Sequence, residues 1–285
     1  MMMLNVFALQ QFTSGGKIVL GICFMALGIM ILYYGFRLVE MGFVLKNKRP
    51  LYIHLYFIKR RLSTAQLEIL KSDFSFYKKL NVREQRHFEH RVASFMKDKV
   101  FIPREGLSLT DEMKVMISAT AVMLTFGFRD FYIGLIDKIF IYPGEFYSKM
   151  NDEYHQGEFN PKLQALVISW EHFKKGYDDA SDNLNLGIHE FAHAIHLNSI
   201  KERDVSSTVF SDSYKELIEL LSKEENLRND LVSTPYFRSY AFTNQFEFLA
   251  VLIESFIETP KELKGKFPEV YGKVRQMLNF NFAGY

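Results

Sequence analysis

The sequence has little cysteine and a net charge close to zero. The first excludes some kinds of cross-link and metal site, and the second gives no reason to expect a nucleic-acid-binding protein. A single cysteine, Cys23, rules out an intramolecular disulfide and a cysteine-rich zinc site, and it suits a reducing compartment. The 35 Lys and Arg residues nearly balance the 33 Asp and Glu residues, so a net charge of +2 gives no reason to expect direct binding of nucleic acid. With 48% hydrophobic residues, the composition is that of a folded globular chain rather than a disordered one.

One long apolar run lies near the N-terminus. Ile18–Phe36 carries no charged residue, and at about 1.5 Å per residue it reaches about 28 Å as a helix, enough to cross the hydrocarbon core of a bilayer. A signal peptide and a buried core helix are the alternatives, but the run exceeds the usual apolar part of a signal peptide and no A-x-A-like cleavage site follows it. We therefore predict an N-terminal tail (residues 1–17), a transmembrane helix (residues 18–36) and a basic juxtamembrane linker (residues 37–62).

The charges that flank this run are asymmetric. Lys17 stands alone before it, and Glu40 is the only acidic residue in the linker. The positive-inside rule predicts a single-pass cell-membrane protein whose large C-terminal part is cytoplasmic, although basic residues also suit a solvated linker. Leu51–Ile58 within the linker is apolar and aromatic, and it either lies along the membrane surface or packs on the domain. The basic residues after the run are Arg37, Lys46, Lys48, Arg49, Lys59, Arg60 and Arg61.

Residues 63–285 are expected to form an α+β domain. Apolar residues at helical spacing predict helices at Thr64–Leu80, Val82–Met96 and Asp111–Leu124, the last of them capped by Thr110. Runs rich in β-branched and aromatic residues predict strands at Leu135–Tyr142 and Leu163–Trp170. The second helix carries a basic face that suits solvent or a partner, made of Arg83, Arg86, His87, His90 and Arg91.

The stretch HEFAH, His189–His193, is the strongest chemical signal in the chain. Two histidines four residues apart on a helix lie about 40° apart around its axis, so both imidazoles can reach one tetrahedral Zn²⁺. Glu190 stands beside them, placed to take a proton from a water at the metal. The alternative is a core helix with two hydrogen-bonded histidines. Asp182 or Asn183 offers the N-cap, and His196 lies about 10 Å along the axis from the first histidine, where it supports a ligand rather than binding the ion.

A third metal ligand is expected from a later helix. Thr243 or Asn244 suits an N-cap, and Glu247 opens the apolar helix that follows. A carboxylate in the first turn of an apolar helix is costly to bury without a partner, so Glu247 is the predicted ligand; otherwise it complements the helix N-terminus. Glu254, two turns later on the same face, is the second choice, or it orients a ligand or the linker chain.

These residues are part of a longer pattern. From about Thr64 to Tyr271 the chain resembles the Mlc titration factor A family of zinc peptidases, which are similar to the catalytic domain of lethal factor proteases. The resemblance implies a zincin-like peptidase domain of helices and a small mixed or antiparallel sheet. It rests on FYKKL (Phe76–Leu80), LSLTDEMKVMI (Leu107–Ile117), IYPGEF (Ile141–Phe146), VISW (Val167–Trp170), HEFAH (His189–His193) and YAFTNQFEFLAV (Tyr240–Val251), in this order.

Carried over by position, the resemblance implies a role for each residue of the site. His189, His193 and Glu247 would bind Zn²⁺, Glu190 would act as the general base, and Tyr240 would help to stabilise the oxyanion, as in the lethal-factor-like branch. The chain departs from the family in two respects. The family typically has Asp at the position of His196, and its soluble members lack the membrane span.

The sequence thus predicts a membrane-anchored zinc metallopeptidase with a cytoplasmic catalytic domain, which hydrolyses peptide bonds of a peptide or protein through a zinc-activated water. The resemblance also implies an alternative, because the family's namesake binds a glucose-responsive transcriptional repressor. The chain would then be a regulatory protein that sequesters a cytoplasmic partner, such as a transcriptional regulator, with zinc structural or vestigial. An intact Glu190 favours the enzyme, since a structural zinc site has no use for that carboxylate.

Overall fold

The N-terminal unit of the structure is one long helix. The computed structural model describes residues 13–148, 152–178 and 182–285, and the chain divides into two units after Asn47. Helix α1, Ser14–Asn47, has 34 residues and exposes most of its large apolar side chains. It is long and apolar enough to cross a membrane. The span predicted at residues 18–36 lies inside α1, which continues into the predicted linker; of the predicted tail, residues 1–12 lie outside the described residues.

The second unit, Lys48–Tyr285, contains the remaining elements and begins before the domain boundary predicted at residue 63. Its helices are α2 (Thr64–Asp73), α3 (Ser75–Lys79), α4 (Val82–Asp98), α5 (Asp111–Leu124), α6 (Trp170–Asp178), α7 (Leu186–Lys201), α8 (Val205–Lys223), α9 (Glu225–Ser233), α10 (Gln245–Glu258), α11 (Pro260–Lys266) and α12 (Pro268–Met277), with a short 3₁₀ helix at Ser239–Phe242. Its strands are β1 (Val100–Pro103), β2 (Lys138–Tyr142), β3 (Phe146–Ser148), β4 (Glu153–His155), β5 (Gly157–Asn160) and β6 (Ala165–Ser169).

The main sheet is small and mixed, in the order β1-β2-β6-β5. Strands β1 and β6 both run parallel to β2, with Phe101 opposite Ile139 and Ile139 opposite Leu166. Strand β5 is an edge strand antiparallel to β6, and it contacts helix α7. Strands β3 and β4 form a separate antiparallel pair. The α+β class and the mixed sheet predicted from the sequence are confirmed.

Helix α5 forms the centre of the core. Its N-cap is Thr110, whose side chain accepts a hydrogen bond from the backbone N–H of Met113, as predicted. Every residue from Val115 to Leu124 is buried, because the helix is apolar nearly all round and has protein on all sides. Helix α7, which carries the HEFAH residues, packs against α5. The candidate site is therefore built on a helix held inside the core rather than on a loop.

The basic face predicted on α4 is only partly a surface. Arg83 and Arg86 are exposed, but His87, His90 and Arg91 are buried. The prediction was wrong for these last three residues because a basic side chain was equated with a solvated one. A buried cation is stable where hydrogen-bond acceptors surround it, and the fold supplies such acceptors to Arg91.

Arg91, a residue of helix α4, is fully buried next to the C-terminal end of helix α5. Its guanidinium donates to the carbonyl oxygens of Thr125 at 2.8 Å, Phe126 at 3.1 Å and Phe128 at 2.6 Å. The last carbonyls of a helix have no partner within the helix and carry the negative end of its dipole, so a cation there both satisfies and stabilises them. Arg91 thus fastens α4 to the C-terminal end of the central helix.

Replacing this guanidinium is expected to destabilise the fold. Arg91→Met keeps an unbranched side chain but leaves the buried carbonyls of Phe126 and Phe128 without donors, and we expect it to lower the free energy of unfolding by about 3 kcal/mol or more. Denaturant unfolding followed by the fluorescence of Trp170, the chain's only tryptophan, measures this. The control is Arg86→Met on the exposed side of the same helix, expected within about 0.5 kcal/mol of wild type. Equal midpoints for both variants would show that the buried hydrogen bonds contribute little.

Candidate metal centre

The helix that carries the HEFAH residues is fixed at its N-terminus by Asn185. The Asn185 side chain accepts from the backbone N–H of Ile188 at 3.0 Å and donates to the carbonyl of Gly176 at 2.6 Å. The prediction of Asp182 or Asn183 as the cap was wrong, because a capping residue lies immediately before the first helical turn and the helix starts at Leu186. The cap therefore ties α7 to α6.

The Asn185 amide also donates to Glu258 Oε1 at 3.1 Å, while the other oxygen of this partly buried carboxyl has no hydrogen-bond partner. Burial raises the pKa of Glu258 to about 8. Since the folded protein then binds this proton more tightly than the unfolded chain, its free energy of unfolding falls as the pH rises from about 4.5 to about 8.

Glu258→Gln is expected to remove this part of the pH dependence. The amide keeps an oxygen for the Asn185 donor and carries no charge, so the variant should match wild type near pH 5 and exceed its stability near pH 8 by about 1–2 kcal/mol, a value reduced by partial solvent screening. Unfolding curves at both pH values, followed by Trp170 fluorescence, measure the difference. If the free energy of unfolding of the variant differs from that of wild type by the same amount at both pH values, the raised pKa of Glu258 is contradicted.

The structure brings His189, His193 and Glu247 together. Their nearest ligand atoms all lie within 4.8 Å of one another. His189 Nε2 is 3.0 Å from His193 Nε2 and 3.0 Å from Glu247 Oε2, and His193 Nε2 is 3.5 Å from the same oxygen. Ligands about 2.0–2.1 Å from a tetrahedral zinc ion stand about 3.3 Å apart. This group of two imidazoles and one carboxylate therefore fits a divalent metal in its donor atoms and in its spacing.

Glu247 reaches the group from the first turn of helix α10. Asn244 caps this helix, accepting from the backbone N–H groups of Phe246 and Glu247 at 2.9 and 3.0 Å, so Asn244 rather than Thr243 is the cap. Helix α10 packs along α7. The carboxylate that was costly to bury alone thus lies against two histidines, where burial is compensated.

Glu254, the second-choice ligand, lies on the other side of His189. Its Oε1 is 2.7 Å from His189 Nδ1, whereas the candidate ligand group converges on Nε2. Arg238 donates to both oxygens of this carboxylate, at 2.7 and 3.1 Å, and the backbone N–H of Asn185 donates to Oε2 at 2.9 Å. Glu254 therefore orients the imidazole, which is the alternative role considered for it. Arg238 was missed, because nothing in its sequence surroundings marks it as a partner of this carboxylate.

The ionisable side chains of the site shift one another's pKa values. Burial opposes a charge on His189, but its hydrogen bonds with Glu247 and Glu254 outweigh burial and raise its pKa to about 9. Burial likewise opposes the charge of Glu247, but hydrogen bonds with both histidines hold the pKa of Glu247 well below its usual range. The pKa of His193 is lowered, mainly by burial. The carboxylates on both sides of His189 thus favour a positive charge at this imidazole, which a proton or a metal cation can supply.

Glu190 is buried next to the edge strand β5. Burial raises its pKa to about 7, and the negative charge of Glu247 acts in the same direction. A Cβ atom at Gly157, the first residue of β5, would lie 2.7 Å from Glu190 Cγ and Oε1. Only glycine lets the strand come this close without moving the carboxylate. Gly157 was also missed, because its role depends on contact between segments far apart in sequence.

The site opens into a cleft of about 470 Å³, lined among others by Glu190, Tyr240 and Arg238. Tyr240 is 48% exposed, and its ring centroid is 6.1 Å from that of His189. Burial, and then the charge of Glu247, raise the pKa of Tyr240 to about 12. His155 and His172 line the cleft but are not part of the ligand group.

His196 lies in an aromatic cluster rather than in a hydrogen-bonded shell around the metal group. Its ring centroid is 4.6 Å from that of Tyr214 and 5.7 Å from that of Phe246, and its buried Nδ1 has no hydrogen-bond partner. Phe246 in turn stacks on His193, with centroids 3.9 Å apart. The support of a ligand by His196 stays a prediction, and its contact with His193 runs through the ring of Phe246.

Comparison with known proteins places this geometry in context. The family model described as glucose-regulated metallo-peptidase M90 matches residues 50–279. A Synechocystis protein described as uncharacterized protein slr2042 is 26% identical over 230 residues, which cover 73% of this chain and 81% of that protein. Mlc titration factor A from Yersinia pestis (strain Pestoides F) is 26% identical over 207 residues, covering 67% of this chain and 76% of its own length, and the Yersinia pseudotuberculosis serotype I protein of the same name matches equally.

Proposed function

The chain belongs to the glucose-regulated metallo-peptidase M90 family, as its resemblance to Mlc titration factor A predicted, and from this premise we propose that it is a membrane-anchored zinc metallopeptidase. The family implies a metal, and His189, His193 and Glu247 are the residues that would hold it. The proposal rests on one observation above all: the ligand atoms of these residues are 3.0–3.5 Å apart, the spacing of tetrahedral zinc ligands. Imidazole and carboxylate donors suit zinc.

A bound zinc ion would supply a Lewis acid that polarises a peptide carbonyl and makes a nearby water more acidic. The protein's own groups would then move the protons and position the substrate. Glu190, held against Gly157, is placed to take a proton from the attacking water and to return it to the leaving amine. Tyr240 borders the cleft beside His189, where its hydroxyl can donate to the oxygen on which negative charge develops.

We assign the membrane anchor to α1. Its length and exposed apolar side chains support a single span, and the excess of Lys and Arg after residue 36 supports a cytoplasmic domain at the cell membrane. The domain organisation that follows is a short tail, the span and, from Lys48 onward, the peptidase domain. The substrate is accordingly a cytoplasmic peptide or protein.

A regulatory role is the second candidate, and the name of the Yersinia relatives favours it. A titration factor acts by binding its target, here named Mlc. In this chain the corresponding activity would be sequestration of a transcriptional regulator at the membrane, with zinc structural. The two candidates differ in what they require of the cleft, because sequestration needs no hydrolysis.

Bound zinc and hydrolysis together test the proposal. The full chain, purified in detergent, is expected to contain about one zinc ion and to cleave members of a mixed peptide library detected by mass spectrometry. Treatment with a chelator should abolish cleavage, and added zinc should restore it. Zinc without any cleavage would leave sequestration as the function, and absence of zinc from correctly folded protein would contradict the metal centre itself.

A further inference from the structure

The segment that follows α1 is bound to the domain along one side. We call Lys48–Leu62 the strap. The guanidinium of Arg91 that fastens α4 to α5 also donates to the hydroxyl of Tyr56, and to the carbonyl of Ile53 at 3.5 Å. The Tyr56 ring packs on that of His90, with centroids 4.2 Å apart. These contacts hold the middle of the strap in place.

Further contacts extend this attachment in both directions. The rings of His54 and His87 are stacked, with centroids 4.5 Å apart and planes 9° apart. The backbone N–H of Arg60 donates to His90 Nδ1 at 2.7 Å. The strap is therefore an ordered part of the domain, and the conformation of its outward-facing residues is fixed by its inward-facing ones.

The outward-facing residues are apolar and are followed by cations. Leu55 is 63% exposed, Phe57 is 96% exposed and Ile58 is 87% exposed. The next residues along the chain are basic and exposed: Lys59, Arg60 and Arg61. Exposed apolar side chains that lie together, rather than singly, mark a contact surface. We name these six residues the strap patch.

We propose that the strap patch docks on the surface of an anionic lipid bilayer. Apolar side chains beside a cluster of Lys and Arg match such a surface, because the former enter the boundary between headgroups and acyl chains while the latter meet the negative headgroups. A protein partner is the poorer occupant. Stable protein interfaces bury about 800 Å² on each partner, and Leu55, Phe57 and Ile58 alone do not provide that area.

Continuity of the chain supports a bilayer as the occupant. Leu55 follows the predicted span, which ends at Phe36, by the last 11 residues of α1 and eight more residues, so the chain lets it lie at most about 45 Å from the membrane. If α1 crosses the membrane, the chain therefore keeps the strap patch close enough to return to the headgroups. The inference thus rests on the span in the proposed function but not on catalysis. Docking would give the cleft a fixed orientation toward the membrane instead of leaving the domain on a flexible tether.

A fluorescent probe tests this docking in the full-length protein. In a Cys23→Ser background, Phe57→Cys is labelled with an environment-sensitive fluorophore, and the protein is placed in nanodiscs of phosphatidylcholine with or without phosphatidylglycerol. Lipids that carry a nitroxide on the acyl chain quench a probe that enters the bilayer surface. The matched control is Val232→Cys, which labels an apolar residue 57% exposed and without a basic neighbour in sequence.

The probe at position 57 is expected to be quenched in anionic nanodiscs and the probe at position 232 is not. Replacing Lys59, Arg60 and Arg61 together by Gln should lower the ratio of docked to undocked protein by on the order of 100-fold, at about fivefold for each lost cation. Equal quenching at both positions, or quenching at position 57 that is the same in neutral and anionic lipid, would overturn the proposal. Whether the protein resists alkaline extraction from membranes tests the span separately. Complete extraction would contradict the span and, with it, the docking, but it would not bear on the metal centre.

Discussion

Glu190→Gln is expected to reduce kcat/KM for peptide hydrolysis by about 10²–10⁴-fold while the protein still holds about one zinc ion. The amide cannot accept the proton of the attacking water, yet it has the size of the carboxyl that it replaces. Glu190 is not one of the residues whose ligand atoms converge, so the metal should stay. Rates on a peptide identified from the library, measured beside zinc content, give both quantities.

A matched control separates the role of this carboxylate from a general effect on helix α7. Glu202→Gln makes the same substitution at the exposed C-terminal cap of the same helix, and it should leave both the rate and the zinc content unchanged. If Glu190→Gln hydrolyses peptides as fast as wild type, another group must take the proton. If it loses zinc together with activity, Glu190 supports the metal, and its role as a base is no longer needed to explain the result.

Much of the candidate site could be predicted because its signals are local. A histidine pair at helical spacing determines on its own that two imidazoles share a face. Glu247 could be proposed because a carboxylate in the first turn of so apolar a helix is costly to bury without a partner. Asn244 was one of two candidate caps because few residue types occur at an N-cap. The central helix α5 was predicted to its ends for the same reason, since Thr110 and the following acidic residues mark its first turn.

The unpredicted features arise where distant segments meet. Arg91 is buried because the C-cap of α5 and the residues just after it present carbonyl oxygens to it, and nothing in the sequence of α4 indicates that contact. Gly157 is required because β5 runs against Glu190 and Leu186. Arg238 matters because Glu254 and the carbonyl of Asn183 face it. In each case the partner lies far along the chain, so a pattern within one element cannot reveal it.

The strap is a second case in which the sequence could not tell which side chains face the domain. The sequence left two places open for Leu51–Ile58, the membrane surface or the domain. The structure shows one side of this segment bound to the domain, through Tyr56 and its neighbours, and the other side, at Phe57, exposed. Composition alone does not distinguish the inward-facing residues of such a segment from the outward-facing ones. Which of its side chains face inward depends on the positions of Arg91 and His90 on α4.

Glu247→Ala is expected to have the second large effect, the loss of zinc. Removing one of the residues that would hold the metal leaves two imidazoles, and we expect the affinity for zinc to fall by more than about 100-fold, beyond the about 10–100-fold typical of losing a residue that only orients a ligand. Competition with a chromogenic chelator measures the affinity directly, without a substrate. Trp170 fluorescence during denaturant unfolding checks that the apo variant is folded.

Glu254→Gln provides the comparison that makes this result specific to coordination. Glu254 lies 2.7 Å from His189 Nδ1 and does not belong to the converging group, so its amide should weaken zinc binding by about 10–100-fold, less than Glu247→Ala does. The reverse order of the two affinities would mean that Glu254 coordinates the metal and that Glu247 instead complements the start of helix α10. Equal and unchanged affinities would mean that the histidine pair binds zinc with neither carboxylate. The two variants thus distinguish coordination of the metal from orientation of its histidine ligand, because each carboxylate contacts a different nitrogen of the same ring.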